Sequence, residues 1–329
     1  MRVVHLQRRS FPGQFSIERV FAEVRRHLPP RFQVEVVVTS GRNQGVLPRV
    51  ATVMEARRLK ADVVHVTGDI NYAAILMDRR RSVVTIHDTE FLDRSSAAKR
   101  LVYEWLWLRL PIWRAGVVTV GSEATKQDLL RFAPGASQKI RVIPHPINEA
   151  FVPVPRDQTA RPTILLVGTW PAKNVIRSAA ALAGIDCRVR ILGSLDPDQE
   201  LALKEAGLDF EALTGLDDEA VRAAYADCDL LLFPSLKEGF GLPVIEAQAT
   251  GRPVVTSTSA PLPEVAGGAA CFVDPYEVES IRSGVLAVLG DDSYRADLVR
   301  RGLDNVQRFQ PEVVAAAYAE VYDEFASRA

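Results

Sequence analysis

The chain has 329 residues, 47% of them hydrophobic and 25% charged, and a net charge of −1. This balance excludes a disordered or low-complexity segment, and the length allows about two domains of the usual 100–200 residues. Three dispersed cysteines, Cys187, Cys228 and Cys271, form neither a CxxC pair nor an even framework, which argues for a reducing compartment and against a structural zinc.

The small net charge conceals an asymmetry. Residues 1–150 carry 24 Lys and Arg against 14 Asp and Glu, or +10; residues 151–329 carry 16 against 27, or −11. Adjacent basic residues stand at Arg8-Arg9, Arg25-Arg26, Arg57-Arg58 and Arg79-Arg80-Arg81. A basic half suits an anionic partner or membrane surface; it suits equally a set of solvated helix ends. No apolar run approaches the ~18 residues that span a bilayer. The N-terminus reads as a strand followed by charge and not as a secretion signal, so a cytoplasmic protein is expected.

In chain order, the strand candidates of the first half are Val3–Leu6, Val34–Val38, Val63–Val66, Val83–Ile86, Val117–Val120 and Ile140–Ile143. Helical patterns lie between them at Ile17–Leu28, Val50–Leu59, Ala73–Arg80 and Ser96–Leu110. Apolar Val/Ile runs alternating with helices predict parallel strands buried on both faces. Within the last of these, the run Leu101–Leu110 holds Trp105 and Trp107 and is apolar on nearly every face. A core helix is the favoured reading; docking at a membrane beside Lys99, Arg100 and Arg109 is the alternative. The second half repeats the theme with strands at Ile164–Val167, Arg188–Leu192, Leu230–Phe233, Pro253–Thr256 and Cys271–Val273. The proline-rich stretch from Pro144 to Pro162 and the switch of charge mark a boundary, so two doubly wound α/β domains are expected with a ligand cleft between them. A final helix is predicted over Pro311–Ser327.

The most informative stretch is Glu238-Gly-Phe-Gly-Leu-Pro-Val-Ile-Glu246. It follows the saturated strand Leu230–Phe233 and enters a helix stopped by Gly251-Arg-Pro253. Two glutamates thus bracket a glycine turn and a helix N-terminus. Pro243 suits the first helical position, the amides there attract anions, and Gly239 and Gly241 admit a ligand close to the backbone. Carboxylates beside an anion pocket suit a ligand rich in phosphate and hydroxyls, such as a nucleotide-sugar. With its E-G-F/Y-G-x-P-x-x-E pattern, the segment resembles the signature of the family 4 glycosyltransferases, retaining enzymes of the GT-B fold.

That resemblance is specific over residues 160–325 and looser over 1–150. It implies two facing Rossmann-like domains: residues 1–152 for the acceptor, 153–310 for the donor, and a helix at 311–329 that crosses back to the first domain. It places the donor diphosphate at Gly168 and Lys173 in Val-Gly-Thr-Trp-Pro-Ala-Lys-Asn174, where Thr169 stands in place of the arginine usual after the glycine. It assigns Glu246 to the ribose hydroxyls and Glu238 to the transferred sugar, with Gly239, Phe240, Gly241 and Leu242 lining the donor. Leu216 of Thr214-Gly-Leu is the candidate for packing on the nucleotide base, and Gly13 for the glycine loop below the phosphates. His87, at the end of the strand Val83–Ile86, is placed near the transferred sugar as a catalytic residue beside Glu238. His145 receives no role, and Asp227-Cys-Asp229 is read as the start of a buried strand in preference to a metal motif.

The resemblance implies a hexosyltransferase, mannosyl being one choice, that uses a nucleotide-diphosphate sugar with no metal or other cofactor. Its partners are then the donor and a glycan or polyprenyl-linked acceptor of cell-surface polysaccharide synthesis, with peripheral membrane contact through residues 1–150 and no nucleic acid. A catalytically silent nucleotide-sugar-binding scaffold and a sugar-nucleotide epimerase are the rival functions. The donor base, UDP or GDP, stays open.

Overall fold

A computed structural model describes residues 1–9, 16–40, 45–93, 96–157 and 159–326; Gly13 lies outside the described residues. The chain divides into two compact units, Met1–Pro146 with Pro311–Ala329, and Ile147–Gln310. Among the described residues no helix is long and apolar enough to cross a membrane.

Unit 1 is built on six parallel strands: β1 (Arg2–Gln7), β2 (Gln33–Val38), β3 (Val63–Val66), β4 (Ser82–Thr85), β5 (Val117–Val120) and β6 (Ile140–Val142), in the order β2-β1-β3-β4-β5-β6. The short Val-rich strands β3, β4 and β5 are buried along their whole length, as continuous apolar runs require. β2 departs from the expectation of burial on both faces. It is an edge strand, and Val36 and Val38 are 39% and 49% exposed. The helix expected over Ala73–Arg80 is instead two 3-10 turns, Asn71–Leu76 and Arg79–Arg81, because Met77 and Asp78 adopt extended backbone and the Asp78 carboxylate caps the Arg80 amide at 3.0 Å. The helix predicted over Ser96–Leu110 is Ala97–Tyr103, a π-helical turn Glu104–Arg109, then Leu110–Arg114. Pro111 has no amide hydrogen to give the Trp107 carbonyl, so a regular helix cannot run through unchanged. Nor is this stretch a core helix throughout. Leu108 is buried and Trp107 packs on Tyr72 and Tyr103, but Leu101, Val102, Trp105, Leu106 and Trp113 are exposed.

Unit 1 is closed by its last helix, Pro311–Ala326, which packs against the helix Ser16–His27. Between sheet and helix runs a buried polar chain. The Tyr322 hydroxyl lies 2.9 Å from His5 Nε2 and 2.8 Å from His65 Nδ1; His65 Nε2 reaches Thr85 Oγ1 at 2.7 Å, and Thr85 reaches Thr119 Oγ1 at 2.6 Å. Burial, and secondly Arg25, lowers His5 to about 3; burial, then His5 and His87, holds His65 well below its ordinary value. Burial likewise keeps the Tyr322 phenol protonated by raising it. These groups are neutral hydrogen-bonding spacers, as buried polar side chains must be when no counter-charge is supplied.

Unit 2 repeats the plan with β7 (Thr163–Val167), β8 (Arg188–Leu192), β9 (Asp209–Leu213), β10 (Leu230–Phe233), β11 (Val254–Ser257) and β12 (Cys271–Val273), all parallel, in the order β12-β11-β10-β7-β8-β9. β9 is absent from the sequence expectation: Asp-Phe-Glu-Ala-Leu alternates polar with apolar and forms the far edge, so it lacks the continuous apolar run of an inner strand. β7 and β10 pair through Leu230 with Ile164 and Leu231 with Leu165, so the loops leaving their C-terminal ends are neighbours. Asp229 opens β10 as a structural ion: Arg156 grips it at 2.7 and 3.0 Å and the Thr163 amide donates at 2.7 Å. Burial alone would raise its pKa, but these bonds outweigh it and hold the carboxyl low.

Candidate functional site

At the C-terminal ends of β7 and β10 the candidate donor residues of unit 2 converge. Gly168 leaves β7 with φ +84°, and a Cβ there would stand 3.0 Å from Lys173 Cε. The glycine is needed for a left-handed turn and for the Lys173 stem to lie across the backbone. The lysine ammonium ends 2.6 Å from Glu238 Oε1 and 4.6 Å from the centre of the Phe233 ring. Both side chains are largely buried, at 20% and 11% exposure. Ser235 Oγ lies 2.5 Å from the same Glu238 oxygen and 2.8 Å from the Ala172 carbonyl, tying the two loops together. The structure therefore brings Lys173 and Glu238 into direct contact, a pairing that neither motif announces alone.

The turn after Glu238 is shaped as much by packing as by access. Gly241 has φ +108°, and a Cβ on it would meet Leu262 Cδ2 at 2.6 Å. The Phe240 ring is a core residue, 5% exposed and edge-on to Phe309 with centroids 5.8 Å apart, so the side chain expected to line the donor serves packing. The helix begins at Leu242, placing Pro243 second, and runs to Ala249. Leu242 itself packs partly against the cluster that holds Phe240. One turn in, Glu246 Oε2 accepts the Tyr225 hydroxyl at 2.5 Å. Burial pushes the Tyr225 phenol well above its ordinary value and Glu246 pushes the same way, so this tyrosine stays a donor that orients the carboxylate. Tyr225 closes the helix Asp218–Ala226, whose N-cap Asp217 accepts from Ala220 at 2.8 Å; the partly buried Leu216 immediately precedes that cap.

Two further residues hold the frame. Asn174, left-handed at φ 64°, donates through Nδ2 to the Pro234 carbonyl at 3.0 Å and the Pro275 carbonyl at 2.7 Å, joining the loops after β7, β10 and β12. Thr169 presents its carbonyl to Gln199 Nε2 at 2.6 Å and its methyl to Gly193, where a Cβ would stand 2.9 Å away. The residue that replaces the usual arginine thus fastens the loop to its neighbour. Sequence reasoning passed over Tyr225 and Ser235 as site residues. Their signals were a tyrosine on the helix just before the saturated strand Leu230–Phe233 and the small polar residue just after that strand.

His87 belongs to unit 1, where it is 7% exposed and follows β4. Its Nε2 lies 3.0 Å from the Thr67 carbonyl, which can only accept, so Nε2 carries a proton; Nδ1 faces His145 Nε2 at 3.5 Å. His145 gains a part that the sequence did not assign. Burial, then His87, lowers it to about 3, so it stands as a neutral imidazole against Nδ1 of His87. His87 borders a cavity of about 420 Å³ within unit 1.

The arrangement in unit 2 supplies a cation and a carboxylate in contact, a second carboxylate held by a tyrosine, and a helix N-terminus between them. Such a set can take a diphosphate and a polyol together. Among the described residues, no three His, Cys, Asp or Glu gather within metal-ligating reach around Lys173 and Glu238.

Known proteins bear on this geometry. Residues 161–291 match the family of glycosyl transferases group 1, and residues 18–151 match glycosyltransferase family 4. The MMP alpha-(1->4)-mannosyltransferase of Mycolicibacterium hassiacum is 30% identical over 314 residues, covering 85% of this chain and 74% of that protein. The O-antigen chain mannosyltransferase B of Escherichia coli is 42% identical over 95 residues, 29% of this chain and 25% of that one. Among solved structures, sucrose-phosphate synthase from Thermosynechococcus elongatus superposes with a TM-score of 0.80 at 18% identity, covering 100% of both chains. HepE of Anabaena, solved with UDP and glucose, gives 0.80 at 16% identity, covering 98% and 100%. The chain has the GT-B fold and belongs to the family 4, group 1 glycosyltransferases, enzymes that transfer a hexosyl group from a nucleotide-sugar.

Proposed function

We propose that the protein transfers a hexosyl group, with retention of anomeric configuration, to a glycan or lipid-linked acceptor in cell-surface polysaccharide synthesis. Mannose is the sugar that the two mannosyltransferase relatives support. The observation that carries the mechanism is the Lys173–Glu238 contact at 2.6 Å. The donor diphosphate, arriving between Gly168 and the helix at Leu242, offers the ammonium a second, doubly charged partner; Glu238 then turns to hydroxyls of the transferred sugar. Glu246 takes the ribose hydroxyls and Leu216 packs on the base. The bond from the sugar anomeric carbon to the diphosphate breaks, the acceptor oxygen bonds to that carbon on the same face, and the acceptor proton passes to the departing diphosphate oxygen. Charge on the leaving group is met by Lys173 and the helix amides, with no divalent ion required.

Unit 1 supports a peripheral place at an anionic membrane. The exposed Leu101, Val102, Trp105, Leu106 and Trp113 lie on one stretch of chain among Lys99, Arg100, Arg109 and Arg114, the pattern of an interfacial segment.

The test is nucleotide release from UDP- and GDP-hexoses with and without excess chelator. Release from at least one donor should survive the chelator, and Lys173→Ala should lower it ~10²–10³-fold, the scale of one lost charge-stabilising group. A second reading, a silent nucleotide-sugar binder, draws on Thr169 in place of arginine. Thermal stabilisation by UDP or GDP without release from any donor would establish it instead.

A further inference from the structure

A cavity of about 580 Å³ lies wholly within unit 2, at the N-terminal ends of β10 and β11 beside Asp229 and Pro253. Lys173 and Glu238 follow the opposite ends of β7 and β10, so this is a different place from the donor site. Its walls come from the segment Pro153–Arg156, the turn Gly251–Pro253 and the helix Asp292–Val306. Arg252 is 3% exposed, and its guanidinium donates only to carbonyls: Tyr225 at 3.1 Å, Val154 at 2.9 Å, Gly251 at 3.1 Å and Ala226 at 2.7 Å. These bonds satisfy four of its five N–H groups and leave its charge unmatched. Asp229 is taken by Nε and Nη2 of Arg156. Among the described residues, one N–H of Arg252 and both on Nη1 of Arg156 therefore have no acceptor. Burial pulls the Arg252 guanidinium below its ordinary value, the direction of a buried cation without a counter-charge.

The other charged groups of the lining are already matched. Arg295 pairs with Asp292 at 2.7 Å, and Arg300 with Asp297 and Asp304. Gln158, the one residue of 147–310 outside the described residues, carries no charge. Arg252 is thus the cation left over, and an anion is what completes it. The rest of the lining selects the body of that anion. Among the described residues it is Pro, Val, Leu, Ala and Gly, including Val154, Leu289, Val299 and Leu303. It offers no aromatic ring on which a base would stack, and no hydroxyl or carboxamide side chain to hold a polyol. An alkyl chain needs neither and gains from leaving water. We propose that this cavity binds an aliphatic anion, a phosphate or carboxylate head on an alkyl chain, with the head at Arg156 and Arg252 and the chain along the helix Asp292–Val306. The site is independent of hexosyl transfer.

Calorimetry on the full chain tests this with octyl phosphate, butyl phosphate and uncharged octanol. Each buried methylene is worth about fourfold in affinity, so octyl phosphate should bind at least about tenfold more tightly than butyl phosphate. Octanol brings the same chain without charge and should bind at least about tenfold more weakly than octyl phosphate. Val299→Glu sets a carboxylate in the cavity and Ala296→Trp fills it; each should weaken octyl phosphate at least about tenfold. Ala296 is exposed, so its replacement moves nothing in the core and decides the matter if Val299→Glu fails to fold. Lys173→Ala should leave octyl phosphate affinity unchanged, which separates this site from the diphosphate site. A membrane lipid and a soluble acid could both supply such an anion. Tighter binding of the two-chain dihexanoyl phosphatidate than of octyl phosphate would assign the lipid, and weaker binding the single-chain acid. Absence of octyl phosphate binding, equal affinity for octanol, no gain from butyl to octyl, or binding lost in Lys173→Ala but kept in Ala296→Trp would each overturn the assignment.

Discussion

In unit 2 the polar groups at the strand ends carry charge and are held by one another across loops: Lys173 on Glu238, Ser235 on Glu238, Tyr225 on Glu246. In unit 1 the polar groups between sheet and helix are neutral, wholly buried and arranged in a chain through His5, Tyr322, His65 and Thr85. The same sheet plan therefore serves two electrostatic regimes. A partly open site keeps its charges because a ligand will share them, whereas a sealed layer has to discharge its histidines to be sealed at all.

The contrast breaks most visibly in acid. Histidines lowered in the folded state bind fewer protons there than in the unfolded chain, so their contribution to stability is present above pH 6.5 and is lost as pH falls from 6.5 towards about 3. Each of His5, His65 and His145 should cost unit 1 up to about 2 kcal/mol at pH 5. Protection of the Pro311–Ala326 amides against exchange, taken relative to the intrinsic rate at each pH, should fall between pH 7 and pH 5; unchanged protection would mean that the buried histidines are not held neutral by the fold.

Next in size is the donor site. Glu246→Ala should weaken UDP or GDP binding, read by calorimetry, ten- to hundredfold, the worth of ~1.5–3 kcal/mol for bonds to a charged acceptor. Tyr225→Phe removes only the group that orients it and should cost severalfold, about 1 kcal/mol. Binding of Glu246→Ala within twofold of wild type would sink the ribose assignment, and equal losses in both variants would make the tyrosine a contact and not a support.

The smallest effect sharpens the account of the unit 1 surface. Flotation with vesicles containing anionic lipid should exceed flotation with neutral vesicles and should collapse as salt rises, since each basic residue contributes ~1 kcal/mol within a Debye length. Trp105→Ala with Trp113→Ala should reduce it further at constant charge. Salt-insensitive binding to both vesicle types would leave the basic residues as solvated helix ends.

Much of this was legible beforehand, and unevenly. Inner strands such as Val63–Val66 and Leu230–Phe233 are saturated with apolar residues because neighbours cover both faces, and the run itself reports that. Edge strands carry no such mark: β9 alternates and was missed, while β2 was found by its valines but misjudged in burial. The glutamates and Lys173 stood out by spacing. Their contact did not, because it depends on β7 and β10 being neighbours although 62 residues separate Gly168 from Leu230 in the chain. His145, Tyr225 and Arg252 escaped for a shared reason. Each looks like an ordinary core or loop residue until its partner, or the lack of one, is seen in three dimensions.

The discontinuity of unit 1 has a consequence for how the chain comes to be folded. Unit 2 is one unbroken segment and has all of its strands once residue 310 has been synthesised. Unit 1 begins at the first residue but lacks the helix Pro311–Ala326, and with it Tyr322 and the partners of His5 and His65. A vectorially made chain therefore exposes an uncapped layer of histidine and phenylalanine until its last helix emerges, reversing the usual order in which the N-terminal domain is finished first. During that interval the half of the molecule made earliest is the half that most needs shelter.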